Sequence, residues 1–388
     1  MVEPKFTHQS LELVEPSFDS PLTDLIIDLD YLRRKKLGGT THVLVFFQLK
    51  HIFHMLESIG SARIEGNNTT IAEYMETKID QEENTPDSIK EIQNIEKTMD
   101  FIESYIQSYP SFLLNKLFIS EIHKGIVENL PPMAEGDYTP GEYRNKNVKI
   151  ARALHVPPDY FTVDEYMNEL FNFINKKDNP KYDLLKVAIA HHRFVWIHPF
   201  TNGNGRTVRL FTYALLVKLG FNVEKGRLLN PTAIFCSDRD KYYNKLARAD
   251  EGTEEGILEW CEYVLEGLKK ETEKIDRLTD YKYLSKEILQ PAIQHSLDQQ
   301  HITEIEAKIL RKAVEKQIIQ ASDLKDIFSG KLGAEISRQI KRLINKKMLL
   351  PEKENGKKYL IRFGNGYLLR GIIKSLSQRG FLPVNDEV

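Results

Sequence analysis

The chain has 388 residues, of which 41% are hydrophobic and 28% charged. That excludes the disordered class and exceeds what one core ordinarily holds, so two or three domains are expected. Lys and Arg total 54 against 56 Asp and Glu, a net charge of −2, so no overall field draws the molecule to nucleic acid or membrane. Cys236 and Cys261 are the only cysteines and form no C-x-x-C or His/Cys cluster, which argues against a disulfide framework and structural zinc.

From the N-terminus, Met1 to Ser20 carries Glu3, Glu12, Glu15 and Asp19 and lacks the basic-then-apolar order of a signal peptide. The apolar stretches are too short to span a bilayer, so a cytoplasmic protein without membrane contact is expected. Apolar residues recur at helical spacing over Val43 to Glu57, Ile89 to Gln107, Tyr182 to Ile197 and Gly205 to Leu219. Gly220 follows the last of these, where a left-handed C-cap belongs. Val148-Lys149-Ile150, between Pro140-Gly141 and Pro157-Pro158, reads as a small β-hairpin on a helical body. Lys269 to Gln300, polar and interrupted by Pro291, reads as a connecting helix and linker. Beyond it, helices are expected over Glu304 to Gln317, Ser322 to Ser329 and Gly333 to Lys347. A hairpin follows over Leu350 to Phe363 around Asn355-Gly356. Three helices and a hairpin are the order of a winged helix. The expected fold is mainly α, divided at 1–110, 111–270, 271–300 and 301–388.

One loop carries chemistry: His198-Pro199-Phe200-Thr201-Asn202-Gly203-Asn204-Gly205-Arg206-Thr207-Val208-Arg209. Two glycines around an asparagine let the backbone turn and point N–H groups outward, and the helix that follows adds its positive end, making an anion cradle. Arg206 and Arg209, three apart, share a face and can both reach phosphate oxygens. His198 at the loop entry can take a proton from a hydroxyl. Gly-Asn-Gly alone is a common turn and single helical arginines are usually solvated; the order of all these residues together is what is specific.

That order resembles the signature of the Fic (filamentation induced by cAMP) family, His-x-Phe-x-acid-Gly-Asn-Gly-Arg-x-x-Arg, at every fixed position but one. The resemblance extends to a flap, Pro140-Gly141-Glu142-Tyr143-Arg144 through Pro157-Pro158, and to Tyr242-Tyr243 with Leu246, and so covers about residues 50 to 270. It implies a helical Fic core and transfer of AMP from ATP to a Ser, Thr or Tyr hydroxyl of a protein, which can be the chain itself. His198 is then the base, Gly203, Asn204, Gly205 and Thr207 lie along the phosphates, Arg206 neutralises the leaving group and Arg209 holds the γ-phosphate. Val148 and Ile150 clamp the target main chain, and Tyr243 contacts adenine. The departing position is Asn202, which stands where the family has an acidic Mg²⁺ ligand; a neutral amide is a weaker partner for that cation.

Upstream, Ser61-Ala62-Arg63-Ile64-Glu65-Gly66-Asn67 puts Ser61 and Glu65 on one helical face, with Gly66 able to end the helix. A lone Glu at a helix end is ordinarily solvated. The string resembles the family's inhibitory motif, which implies that Glu65 pairs with Arg209 and keeps the γ-phosphate out of its productive pose.

His191-His192, Trp196 and Trp260 read as core or surface residues. Lys331 to Lys374 contains twelve Lys or Arg and three Asp or Glu, an excess suited to a DNA backbone or to a protein partner. Rival readings keep the fold but remove AMP or transfer another phosphate-containing group, or make the chain a DNA-binding regulator with a degenerate Fic domain.

Overall fold

A computed structural model describes residues 5–34, 39–80, 85–150, 153–221, 232–328, 333–364 and 366–382, except for the side chains of 79, 80 and 232. The helices are α1 (Pro21–Arg34), α2 (Val43–Ile64), α3 (Ile71–Asp80), α4 (Asp87–Ser108), α5 (Lys116–Val127), α6 (Val163–Asn175), α7 (Asp183–Ile197), α8 (Asn204–Lys218), α9 (Thr232–Cys236), α10 (Arg239–Ala249) and α11 (Glu254–Asp276). Then come α12 (Tyr281–Leu284), a π-turn (Ser285–Leu289), α13 (Gln290–Asp298), α14 (Glu304–Lys316), α15 (Gly333–Asn345), strands β1 (Leu349–Pro351) and β2 (Tyr359–Ile361), and α16 (Leu368–Gln378).

The helix α2 is apolar on nearly every face, and every residue from Ile52 to Ala62 is buried. A helix without a polar side has to be surrounded, and α4, α8 and α9 surround it. Glu65 caps its C-terminal end, and Gly66 takes the left-handed turn at φ 108°. The pair α7 and α8 packs side by side, with Trp196, Phe200, Phe211 and Trp260 fully buried around it. Gly220 follows α8 with φ 97°, as its position in the sequence implies. Cys261 is buried and Cys236 half-buried, both as free thiols.

The polar stretch around Pro291 is helical: Pro291 follows directly on the π-turn, where Gln290 N–H bonds Ser285 O, and α13 packs on α16. In the tail, β1 and β2 pair antiparallel, Leu349 opposite Ile361 and Pro351 opposite Tyr359. Ile319 bridges Tyr359 on the other side.

Two expected elements differ. Residues 147–150 of the flap join no strand ladder. Instead the backbone at 154–156 pairs with the N-terminal segment, Lys5 N–H to Leu154 O and Val156 N–H to Lys5 O, both 3.2 Å. One edge of the segment that a hairpin would use is thus paired with residues far away in sequence; residues 151 and 152 lie outside the described part. The helix expected over 322–329 is a single 3₁₀ turn, Ala321–Leu324. Its cap is made locally, Gln320 N–H donating to Asp323 Oδ2 at 2.8 Å, and i to i+3 bonds continue it to Phe328. Ser329 lies outside the described residues. No described helix is long and apolar enough to cross a membrane.

Candidate active site

The helix α7 stops at His198, whose left-handed backbone (φ 53°, ψ 61°) turns the chain into the loop. Gly203 takes φ 71° at the N-cap of α8, a conformation costly for residues with a Cβ. Asn204 braces the turn from both sides: its Nδ2 donates to Phe200 O and its Oδ1 accepts from Phe200 N–H, each at 2.9 Å. Thr207 Oγ1 donates to Gly203 O at 2.8 Å. The first-turn N–H groups of α8 have no helical carbonyl to bond, so the loop presents donors and positive potential to an anion.

His198 is half-buried. Its Nδ1 lies 3.4 Å from Val195 O; a carbonyl only accepts, so Nδ1 carries the proton and Nε2 is the basic nitrogen. Burial pushes its pKa down to about 4 against the upward pull of the Val195 carbonyl, so the imidazole is neutral at ordinary pH. Arg144 fixes the backbone beside it: Nε donates to His198 O at 2.9 Å, and the Arg144 N–H to Pro199 O at 2.8 Å.

The Glu65–Arg209 pair expected from sequence is formed. Arg209, 2% exposed, donates from Nη2 to Glu65 Oε1 at 2.7 Å and to Ser61 O at 2.9 Å, and from Nε to Ser61 Oγ at 2.8 Å. Burial pushes the Glu65 carboxyl up, but the Arg209 and Arg206 charges outweigh it and hold it below the ordinary range. Gly205 makes this approach possible: a Cβ there would fall on the Glu65 carboxylate.

Arg206, 1% exposed, faces Glu91 Oε1 at 2.9 Å and Glu135 Oε2 at 3.0 Å, and also donates to Glu135 O at 2.9 Å. Asn67, two residues past Glu65, donates to the other oxygen of Glu91 at 2.7 Å. The segment after α2 therefore reaches both loop arginines, one directly and one through Glu91.

Several residues of the site lie outside any motif. His123 on α5 stacks on Phe200, with centroids 3.8 Å apart and planes 3° apart. Its Nδ1 accepts from Gly141 N–H at 2.8 Å, so Nε2 carries the proton and donates to Asn202 O at 3.0 Å. Asp137 accepts from the Asn202 N–H at 3.1 Å. Burial pushes the His123 pKa down to about 4. No local pattern marks His123, Asp137, Glu91 or Glu135, because their partners come from distant segments.

Asn202 does not fit a divalent cation. Its Nδ2 donates to Ala134 O at 2.7 Å and to Gly136 O at 3.0 Å, and its Oδ1 is turned back to the Gly203 N–H at 2.7 Å. Two carbonyl partners require the amide nitrogen on that side, and the remaining oxygen, neutral and turned toward the loop's own Gly203 N–H, is a weak ligand for a hard cation. Among the described residues no group of three His, Cys, Asp or Glu could hold a metal ion.

Of the other expected site residues, Val148 and Ile150 are half-buried in the flap. Tyr243 is 42% exposed on α10, beside the guanidinium of Arg239. His191 and His192 are buried; His191 bridges Thr212 and Tyr242, and His192 meets Asp250 Oδ1 at 2.9 Å.

Residues 113–216 match the Fic/DOC family model. Protein adenylyltransferase Fic of Aedes aegypti is 32% identical over 208 residues, 53% of this chain and 37% of that protein. Its counterpart in Nematostella vectensis is 30% identical over 212 residues, 53% and 44% of the two chains. The chain thus spans less than half the length of these relatives. Among solved structures, a Fic family protein from Desulfovibrio desulfuricans G20 superposes with a TM-score of 0.52 at 17% identity, covering 91% of this chain and 98% of that one. Fic-1 from C. elegans gives 0.53 at 18%, covering 65% and 71%; both likenesses concern the fold. The segment similar to the Fic/DOC family contains the whole loop from His198 to Arg209.

Proposed function

We propose that the protein transfers AMP from ATP to a hydroxyl side chain of a protein, and that Glu65 holds it in a resting state by occupying Arg209. The observation that carries this reading is the Arg209 cluster: a buried guanidinium whose hydrogen bonds among the described residues go to Ser61 and Glu65, which leaves its Nε and Nη2 taken and unable to hold a phosphate. The relatives named protein adenylyltransferase support the reaction class.

In the released state, ATP lies along Gly203, Asn204, Gly205 and Thr207, with Arg206 toward the leaving group, Arg209 on the γ-phosphate and Tyr243 toward the adenine. His198 Nε2 takes the proton of the target hydroxyl, the oxygen attacks the α-phosphorus, and the bond to the departing pyrophosphate breaks in line. Val148 and Ile150 lie on a flap stretch whose main chain is outside any ladder, which suits pairing with an extended target segment. No step is assigned to a metal ion, given the contacts of Asn202.

The test is labelling of a lysate with α-labelled ATP. Glu65→Gly is expected to label at least about 10-fold faster than the wild type, since removing a charge-assisted contact of about 1.5–3 kcal/mol shifts the resting equilibrium by that order. The variant with both Glu65→Gly and Arg209→Ala is expected to behave like Arg209→Ala alone, because the arginine makes the contact that the brake blocks. If Glu65→Gly labels no faster than wild type, Glu65 is not a brake.

A further inference from the structure

We infer that the outer face of α15 together with the tip of the β1–β2 hairpin is a docking surface for duplex DNA. The inference is independent of the transferase reading.

The order in space is α14, the bridged residue Ile319, a 3₁₀ turn, α15 and an antiparallel hairpin whose β2 pairs with both β1 and Ile319. On α15, Ile336, Ile340 and Leu343 point into the core. The opposite stripe, Ser337, Arg338, Lys341, Arg342 and Asn345, is exposed. At 13 residues the helix is about 20 Å long, and among the described residues this stripe is left exposed.

The charge of the face is not consumed internally. Arg342 touches the buried Glu306 through Nε at 3.2 Å, yet its side chain is 53% exposed; Arg338, beside Glu335, is 75% exposed. Lys341 on the helix and Lys353, Lys357 and Lys358 at the hairpin tip are exposed and form no ion pair among the described residues. Six cations thus lie on one helix face and one adjoining turn, against two carboxylates of that turn, Glu352, which faces His42 at 3.9 Å, and Glu354.

Chemistry separates DNA from the alternatives. A protein-binding face has an apolar, commonly aromatic, centre, and among the described residues no exposed large hydrophobic lies between Tyr243 and Tyr367. Arg, Lys, Ser and Asn on a bare helix are donors suited to phosphates and base edges. A helix enters the wide major groove of B-form DNA but not the deep, narrow one of duplex RNA.

The experiment is fluorescence anisotropy of the full chain with a labelled duplex of mixed sequence. With about five phosphates neutralised, the slope of log affinity against log salt is about −4.5, so binding weakens roughly 500-fold between 50 and 200 mM salt. The variant Lys341→Glu, Lys357→Glu, Lys358→Glu should lose at least about 100-fold at intermediate salt and flatten the slope by about 3. All three side chains are exposed, so its thermal melt should match the wild type. The proposal is overturned if wild type at about 10 μM gives no salt-sensitive signal, if the variant binds as well as wild type, or if polyglutamate or duplex RNA competes as well as unlabelled DNA.

Discussion

His198 and Asn202 lie four residues apart and make opposite demands on the loop. For proton transfer the imidazole has to be neutral, and burial holds its pKa near 4. Because the shift is downward, the neutral base is present above about pH 4 and lost only as pH falls through that value. In the Glu65→Gly enzyme the acid limb of kcat/KM is therefore expected near pH 4; a limb near 6.5, the value of a solvated histidine, would show that burial does not set its titration. In the proposed reaction the base acts on the hydroxyl, so His198→Ala should lower turnover about 10²–10⁴-fold while leaving ATP affinity, measured by calorimetry, nearly intact. Asn202 instead has a structural role. Asn202→Asp would set a carboxylate against the carbonyls of Ala134 and Gly136, removing two donated bonds. It is expected to cost about 1–3 kcal/mol, read from urea unfolding. A variant as stable as wild type would show that the 134–136 turn does not depend on that amide.

At the scale of elements, α4 does more than pack. It carries Glu91, which faces the buried Arg206 and is itself held by Asn67 from the end of α2. Burial keeps the Glu91 carboxyl above its ordinary pKa, partly offset by Arg206. Glu91→Gln leaves a buried guanidinium short of a counter-charge and should cost about 3 kcal/mol. By contrast, Lys90→Ala, at the exposed Asp87 pair one residue earlier, should change stability by less than about 1 kcal/mol. Equal costs in urea unfolding would show that burial of the pair does not set its energy. This contrast explains what could be read in advance. The helices α2, α4, α7 and α8 and the Gly220 cap follow from periodicity and turn chemistry, and the Glu65–Arg209 pair from the resemblance of two short strings to family motifs. Glu91, His123 and Asp137 do not, because each acts through a partner 65 or more residues away for Asp137 and Glu91's Arg206, and through a stacked Phe200 for His123. The flap went the same way: Lys5 captured one edge of the segment that a local hairpin would have used.

Across the whole molecule, one helix connects the candidate active site to the tail. The C-terminal end of α2 holds Arg209 through Ser61 and Glu65, while Gln48 near its start reaches the C-terminal strands. Gln48 Nε2 donates to Ile361 O at 3.1 Å, and its Oε1 accepts from Phe363 N–H at 2.7 Å. One side chain thereby pairs with the end of β2 as a neighbouring strand would, satisfying a donor and an acceptor that otherwise lack a ladder. Gln317 does the same for the chain before α2, accepting from His42 N–H at 3.0 Å and donating to Thr40 O at 2.9 Å. Farther along, Arg370 of α16 donates from Nε to Glu76 of α3 at 3.0 Å. The docking is polar and bidentate, so its loss should be local and measurable. Gln48→Ala removes the only acceptor the Phe363 amide has among the described residues, at a net cost of about 1–1.5 kcal/mol. That corresponds to roughly 10-fold faster hydrogen exchange at Phe363 by local opening. Amides in the middle of α8, such as Leu215, should be unaffected, because their bonds lie within that helix and none involves Gln48. Adding Arg370→Ala should accelerate Phe363 further only if α16 and β2 open as one unit. Unchanged exchange at Phe363 in Gln48→Ala would mean that packing of the neighbouring Leu360, Ile361 and Phe363 side chains, all buried, protects the amide without the bond from α2.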